Sequence, residues 1–495
     1  MRLRPTTSTR YLRAIAPLLA SATLPLALVQ CGLVQETDPA QQRDAAPKED
    51  GRQDASLTQD ASKADTSFDA KIDDAHDAAQ PPAKITYVAS GLAANCGVFS
   101  NGRVKCFGYG EFGAMGQGNP NHLGDNPSEV GNLVPWIDLG AGRIAVAVAT
   151  RFTHTCARFV DGKVKCWGND LIGAIGLGGS PTRRGDNPSQ MGDALPDLPL
   201  GAAAVDVRVG GNSTCALLVT GQLKCWGEET AFDGVGGPYR IGAVSDPPIA
   251  LGTGRTVKAF DVADSHACAI LDNDRLKCWG FNGDGQLGLG DKVSRGGTPG
   301  EMGDALPYVD LGTGRTAKAI RVNDTFACAI LDDDGVKCWG SNLVGELGIG
   351  RTDQYIGDGP NEMGDALPEV NLGTGLTAKA IGTGDLMHTC AILSNDQVKC
   401  WGRRLLGVAT PDSSDIHGTD PSHMGDALPF MDLGTGRSAK SFSVGGTGVC
   451  VLLDNDRVKC WGGNGKGSLG VGDDIPRLNG PMWSGDAMPY TDWGG

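Results

Sequence analysis

Residues 328–340 read Cys328-Ala329-Ile330-Leu331-Asp332-Asp333-Asp334-Gly335-Val336-Lys337-Cys338-Trp339-Gly340. Two apolar arms flank an acidic, glycine-containing turn, with one cysteine on each arm, ten positions apart. If Cys328 stands opposite Cys338, Ile330 faces Val336 and Leu331 faces Gly335. The loop is then Asp332-Asp333-Asp334. The same register gives Ser100-Asn101-Gly102, Val160-Asp161-Gly162 and Val219-Thr220-Gly221 in three other copies. Three-residue hairpin loops favour a type I turn followed by a left-handed residue, where glycine carries no Cβ penalty. Asp274, Asp396 and Asp456 hold that position elsewhere, and Asp tolerates it better than most residues.

The pattern occurs seven times, as Cys96/Cys106, Cys156/Cys166, Cys215/Cys225, Cys268/Cys278, Cys328/Cys338, Cys390/Cys400 and Cys450/Cys460. Opposed strand residues have Cα atoms about 4.5–5.5 Å apart, within disulfide range. The register therefore predicts seven local disulfides, each stabilising the fold by about 2–3 kcal/mol in the chain-entropy model. Zinc sites use cysteines about two to four residues apart, so this spacing argues against metal. Each second cysteine follows a Lys and precedes an aromatic residue, Trp six times and Phe107 once. Lys337 and Trp339 share the face opposite the disulfide. The expectation is a Trp packed on a neighbouring sheet and a Lys with its amine in solvent.

First cysteines recur at intervals of 60, 59, 53, 60, 62 and 60 residues, the signature of an array or propeller. After each hairpin comes a glycine-rich segment, clearest at 281–291. Its alternating Leu and Gly suggest a short strand with close backbone approach. It lacks the strand–loop–helix context and the Lys-Ser/Thr of a phosphate-cradling loop. A connector follows, Met302-Gly303-Asp304-Ala305-Leu306-Pro307, repeated from Met191, Met363 and Met424 and varied at Ser484 to Pro489. Its Asp suits a local turn. Calcium needs about six to eight oxygens at one site, and one Asp per connector is too few. Each unit ends in a piece such as Val309-Asp310-Leu311-Gly312-Thr313-Gly314 and a strand such as Ala317-Lys318-Ala319-Ile320. With about four short strands per unit and no sustained helical period, the fold class is all-β.

Residues 1–30 read as a lipoprotein-type signal peptide. Arg2, Arg4, Arg10 and Arg13 form a basic region, and Ala14 to Val29 an apolar one interrupted by Pro17 and Pro25. Leu28-Val29-Gln30-Cys31-Gly32 resembles a bacterial lipobox, with Gln30 where a small residue is usual. Of 15 cysteines only Cys31 lacks a partner, and lipid attachment would give it one use. Residues 31–83 are rich in Ala, Asp, Gln and Lys, and cannot bury enough apolar area to order themselves. They are expected to tether the folded part, residues 84–495, to a membrane. His76 lies in this tether. The net charge of -15 argues against nucleic acid, which needs a basic face.

The Gly-Gln-Leu-Gly-Leu-Gly motif at 285–290, His-Thr-Cys-Ala at 154–157 and 388–391, and the Trp-Gly after each turn resemble the repeat of the regulator of chromosome condensation family. The likeness covers 84–495 and implies a seven-bladed β-propeller of four-stranded blades. The paired cysteines and Gly-Asp-Ala-Leu-Pro connectors are similar to those of exported bacterial lipoproteins in the family. The chain enters at Ile85-Thr86-Tyr87-Val88 and leaves at Pro489-Tyr490-Thr491-Asp492-Trp493-Gly494. The C-terminus is therefore expected to complete a blade begun by the N-terminus.

The sequence shows no catalytic constellation, metal site or cofactor motif. The leading expectation is a monomeric, non-catalytic scaffold. It would be anchored by Cys31 at the outer membrane or cell surface, and the long loops from glycine-rich segment to connector would bind an unidentified protein. A surface lectin is the alternative, resting on Phe112, Phe232, Tyr239, Phe281 and Tyr355. An envelope hydrolase or lyase would have to use His154, His266 and His388, which a propeller spreads around its ring. Nucleotide exchange, known in the family, does not suit an exported chain. Arg184-Gly185-Asp186 is adhesion-like, but such a triplet arises readily by chance in a loop rich in Gly and Asp.

Overall fold

The structure is a computed structural model that describes residues 83–178, 182–229, 240–242, 244–351, 353–403, 416–478 and 480–494. The signal segment, Cys31, His76, Phe232 and Tyr239 lie outside the described residues. Seven antiparallel sheets follow one another along the chain, each a meander in sequence order. In the fifth the strands are Ala317–Val322, Phe326–Leu331, Val336–Ser341 and Tyr355–Ile356. Four sheets have four strands. In the other three the fourth strand shrinks to a single bridge, Gly108 with Leu123, Gly280 with Arg295 and Gly462 with Arg477. The described helical residues are three-residue 3-10 turns. The fold is a seven-bladed β-propeller.

Each hairpin has the register its cysteines predict. In the fifth, Cys328 stands opposite Cys338 and Ile330 opposite Val336. Gly102, Gly162 and Gly221 take positive φ at the end of the turn, and so do Asp274, Asp334, Asp396 and Asp456. The disulfides join Cys96 to Cys106, Cys156 to Cys166, Cys215 to Cys225 and Cys268 to Cys278. They likewise join Cys328 to Cys338, Cys390 to Cys400 and Cys450 to Cys460. In every pair the two cysteines are directly opposed strand partners. Their Cα atoms lie 4.0–4.1 Å apart, closer than the separation expected of opposed strands.

The fixed register turns Trp339 toward the preceding blade, where its indole N–H donates to the Gln286 carbonyl at 3.0 Å. Trp167, Trp226 and Trp401 do the same to Ala114, Ala174 and Glu346. The glycine-rich segment is a sequence of tight turns rather than a strand. A Cβ on Gly288 would lie 2.7 Å from the Trp339 indole nitrogen, so glycine at this point lets one blade close on the next.

The lysines differ from the expectation. Lys105, Lys165, Lys277, Lys337, Lys399 and Lys459 are all buried, with Lys224 half-buried. The Lys337 ammonium donates to Leu311 O and Gly364 O, both at 2.9 Å. Lys165 bridges Leu139 O and Gly192 O, Lys399 bridges Leu372 O and Gly425 O, and Lys459 bridges Leu433 O and Gly485 O. Each of these four lysines ties the unit-ending piece of the preceding blade, such as Asp310-Leu311-Gly312, to the connector of its own. Two carbonyl acceptors, and an aromatic face such as Tyr490 over Lys459, replace the water that the ammonium gives up. Burial drops the Lys105 amine to about 8.

The connector aspartates are clasps as well. Asp365 reaches into the preceding unit and accepts from Thr313 N at 2.8 Å and Thr313 Oγ1 at 2.6 Å. Asp304, Asp426 and Asp486 repeat this with Thr253, Thr374 and Thr435. The local turn belongs instead to the Asp of the Asp-Leu-Gly piece, as where Asp310 accepts from Gly312 N at 2.9 Å.

Ring closure uses the same clasp and no shared sheet. Blade 1 is built from residues 85–123 alone. The C-terminal segment lies against it. Lys105 donates to Gly131 O and Trp493 O, both at 2.8 Å, and Trp493 packs on Phe107 at 4.7 Å between ring centres. Trp493→Ala should lower stability by about 3–5 kcal/mol, the usual cost of emptying a buried Trp site. The urea unfolding midpoint reads this out. An unchanged midpoint would mean that the segment takes no part in closing the ring.

Candidate functional site

The first strands of the seven blades line an axial cavity of about 430 Å³. Strand register sorts their residues into levels. Opposite the first cysteine of each hairpin stand Ala89, Ala149, Arg208, Asp261, Arg321, Gly382 and Ser443. Three successive blades, 3 to 5, contribute the charges. The other four contribute small residues, and these leave the space. Arg208 Nε donates to Asp206 Oδ2 at 3.0 Å, and Asp261 Oδ2 accepts from Val322 N at 2.9 Å.

At one end the cavity is constricted by the turns between first and second strands. Leu92 N donates to Arg151 O, Gly446 N to Gly91 O and Leu386 N to Gly446 O, each at 3.0 Å. A Cβ on Gly445 would stand 2.4 Å from the Gly91 oxygen. Arg151 of blade 2 crosses this end and meets three carboxylates, Asp264 at 3.0 Å, Asp324 at 2.9 Å and Asp385 at 2.7 Å. One guanidinium for three acids leaves an excess of negative charge. Burial and mutual repulsion, opposed by Arg151, raise Asp264 to about 7 and Asp385 to about 6.

The opposite face carries the hairpin turns, and it is not uniform. In blades 4 to 6 the second residue of the first strand is a Lys paired with the turn Asp: Lys258–Asp274 at 2.6 Å, Lys318–Asp334 at 2.8 Å and Lys379–Asp396 at 2.7 Å. Lys440 pairs with Asp456 in blade 7. Blades 2 and 3 hold Val146 and Val205 at that position and glycine in the turn. Around them Val160 is 67% exposed and Val219 65%, with Ile144 also open to solvent. An apolar crescent thus replaces the strand Lys and turn Asp pairs in blades 2 and 3, with Arg143 paired to Asp161 and Asp197 beside it.

His154, His266 and His388 begin the second strands of blades 2, 4 and 6 and are fully buried. His154 Nε2 lies 2.9 Å from Thr214 Oγ1, and neither ring nitrogen of His266 finds a protein partner among the described residues. The three stand in separate blades and do not converge. Gly185 of the adhesion-like triplet packs on Gly113 of blade 1. Of the aromatics considered for a lectin, Phe281 is exposed, while Phe112 and Tyr355 are half-covered, near Arg183 and Lys292. Among the described residues no group of three or more His, Cys, Asp or Glu is set to hold a metal ion. Local pattern reading missed the axial charges and Arg151. The available signal was charge in a strand position that other repeats fill with Ala, Gly or Ser.

Residues 257–286 match the family model for the regulator of chromosome condensation (RCC1) repeat. The Ultraviolet-B receptor UVR8 of Arabidopsis thaliana is 22% identical over 404 residues, covering 80% of this chain and 81% of that protein. The E3 ubiquitin-protein ligase HERC2 of Homo sapiens is 28% identical over 213 residues, 42% of this chain but only 4% of the ligase. The structure of yeast RCC1 (Prp20) bound to Kap60 superposes with a TM-score of 0.55 at 16% identity, covering 82% of this chain and 85% of that one.

The buried histidines give the fold an acid limit. Burial lowers His266 to about 3, and His154 and His388 to about 4. A depressed folded pKa means that the unfolded chain takes up the proton first. This stability is complete above about pH 6.5 and is lost as pH falls toward the folded values. Blade 5 carries Phe326 at the equivalent position. His266→Phe should therefore fold and flatten the stability–pH slope between pH 4 and 6 by about 1.4 kcal/mol per pH unit, the contribution of one proton. Chemical denaturation across that range measures it, and an unchanged slope would refute the assignment.

Proposed function

We propose that this β-propeller, similar to the regulator of chromosome condensation repeat proteins, is a non-catalytic scaffold of the bacterial cell envelope that grips a protein partner. The observation that carries this reading is the apolar crescent of Ile144, Val146, Val160, Val205 and Val219. Exposed apolar side chains grouped beside a polar rim are the usual composition of a protein contact surface. Here the rim is the set of Lys–Asp pairs on blades 4 to 7. The buried cysteines, lysines and tryptophans hold this face rigid, which lowers the ordering cost of binding. That yeast RCC1 was solved bound to Kap60 supports protein recognition by this architecture.

The envelope location rests on the signal-like residues 1–30, on Cys31, and on seven disulfides that need an oxidising compartment. The same disulfides argue against a cytosolic exchange factor. The contact surface in this reading is the hairpin-turn face. The glycine-rich loops spend much of their surface on blade-to-blade packing.

Cross-linking in intact envelopes followed by capture of the protein tests the surface. Wild type should retain a discrete protein species. Val146→Lys with Val205→Lys should reduce its yield about tenfold, since each exposed change is nearly neutral for folding while burying a lysine at an interface is costly. Equal capture by both would sink the proposal. Separately, Cys31→Ser should move the protein from the membrane to the soluble fraction, and persistence in the membrane would remove the lipid anchor from the account.

A further inference from the structure

The axial cavity contains one guanidinium that has no ion pair among the described residues and a second that is paired through a single nitrogen. Arg321 donates one hydrogen bond, from Nη1 to the carbonyl of its neighbour Ile320 at 2.8 Å, and makes no ion pair among the described residues. Arg208 engages Asp206 through Nε alone. Both line the cavity, at one level and two blades apart. Between them Asp261 is held by Val322 N. Across from them the wall is Ala89, Ala149, Gly382 and Ser443. Open space therefore faces Arg321, which has no ion pair among the described residues, and the edge of Arg208 that its bond to Asp206 leaves free.

We propose that this cavity binds a small organic carboxylate through the guanidinium groups of Arg321 and Arg208. Guanidinium N–H edges match the two oxygens of a carboxylate, and charge-assisted bonds in a partly dry site are strong. The volume of 430 Å³ suits a small ligand, since such sites run about 300–1,000 Å³. Tyr87, Thr383 and Ser441 line the same space and offer hydroxyls to the rest of the molecule. The ligand enters from the hairpin-turn face, because the other end is knitted shut around Arg151. Burial and the Arg208 charge disfavour the charged form of Arg321, the nearby Asp261 and Asp206 favour it, and a bound anion would add to the favourable side. A polar channel that merely holds water would need no guanidinium edges turned to open space, and Asp261, the carboxylate between the two arginines, is engaged by Val322 N.

The site is separate from the protein-facing crescent, and its test can be separated too. Full-length protein is titrated by calorimetry with acetate, succinate and citrate, and with succinamide as a neutral isostere of succinate. At least one carboxylate should bind saturably and raise the melting temperature, and succinamide should not. Arg321→Met should weaken binding about tenfold or more, as loss of a charge-assisted contact implies. Without carboxylate, Arg321→Met should melt no lower than wild type, because it removes an unpaired charge. The Val146→Lys, Val205→Lys protein should bind as wild type does. No saturable binding of any carboxylate, equal binding of succinamide, or unchanged binding by Arg321→Met would overturn the proposal. A lower melting temperature of Arg321→Met without carboxylate would assign Arg321 to the structure and overturn it as well.

Discussion

The cross-strand cysteine pair fixes what every neighbouring residue can do. A one-residue slip of a strand turns all its side chains to the other face, and a covalent bond between opposed positions forbids the slip. With Cys328 locked to Cys338, Lys337 and Trp339 must share the opposite face. The tryptophan then reaches the glycine-rich turns of the preceding blade. The lysine reaches the end piece of the preceding unit and its own connector at once. Blade contacts are therefore a consequence of hairpin register, repeated around the ring.

This arrangement also explains how the ring closes without a shared blade. The lysines of blades 2, 5, 6 and 7 each take one carbonyl from the piece that ends the unit before. For blade 1, the first of the described blades, the C-terminal segment supplies that acceptor at Trp493. Closure then needs only the last few residues to dock, and no strand has to be exchanged. The seven sheets keep their own edges short or covered, as closed β architectures require.

What could be read from the sequence was local. Turn chemistry and cysteine spacing placed the hairpins, down to the left-handed Asp274, Asp396 and Asp456. The repeat count set the number of blades. The buried lysines were misjudged because their acceptors are backbone carbonyls, which no side-chain pattern reveals. Asp365 was assigned to its own turn because its partner, Thr313, lies 52 residues away. The axial cavity was invisible for a related reason. Arg151 meets Asp324 across 173 residues and Asp385 across 234, and only the closed ring brings them together. The sites that distinguish this chain are thus the positions where its repeats disagree, on the cavity wall and on the hairpin-turn face.

The central claim is that each hairpin carries its own covalent staple and that this sets the ring. Peptide mapping of the unreduced protein by mass spectrometry tests it most directly. The account predicts seven disulfides, each joining cysteines ten residues apart, and no more than one cysteine outside them. A disulfide joining two repeats, or a second unpaired cysteine, would contradict it.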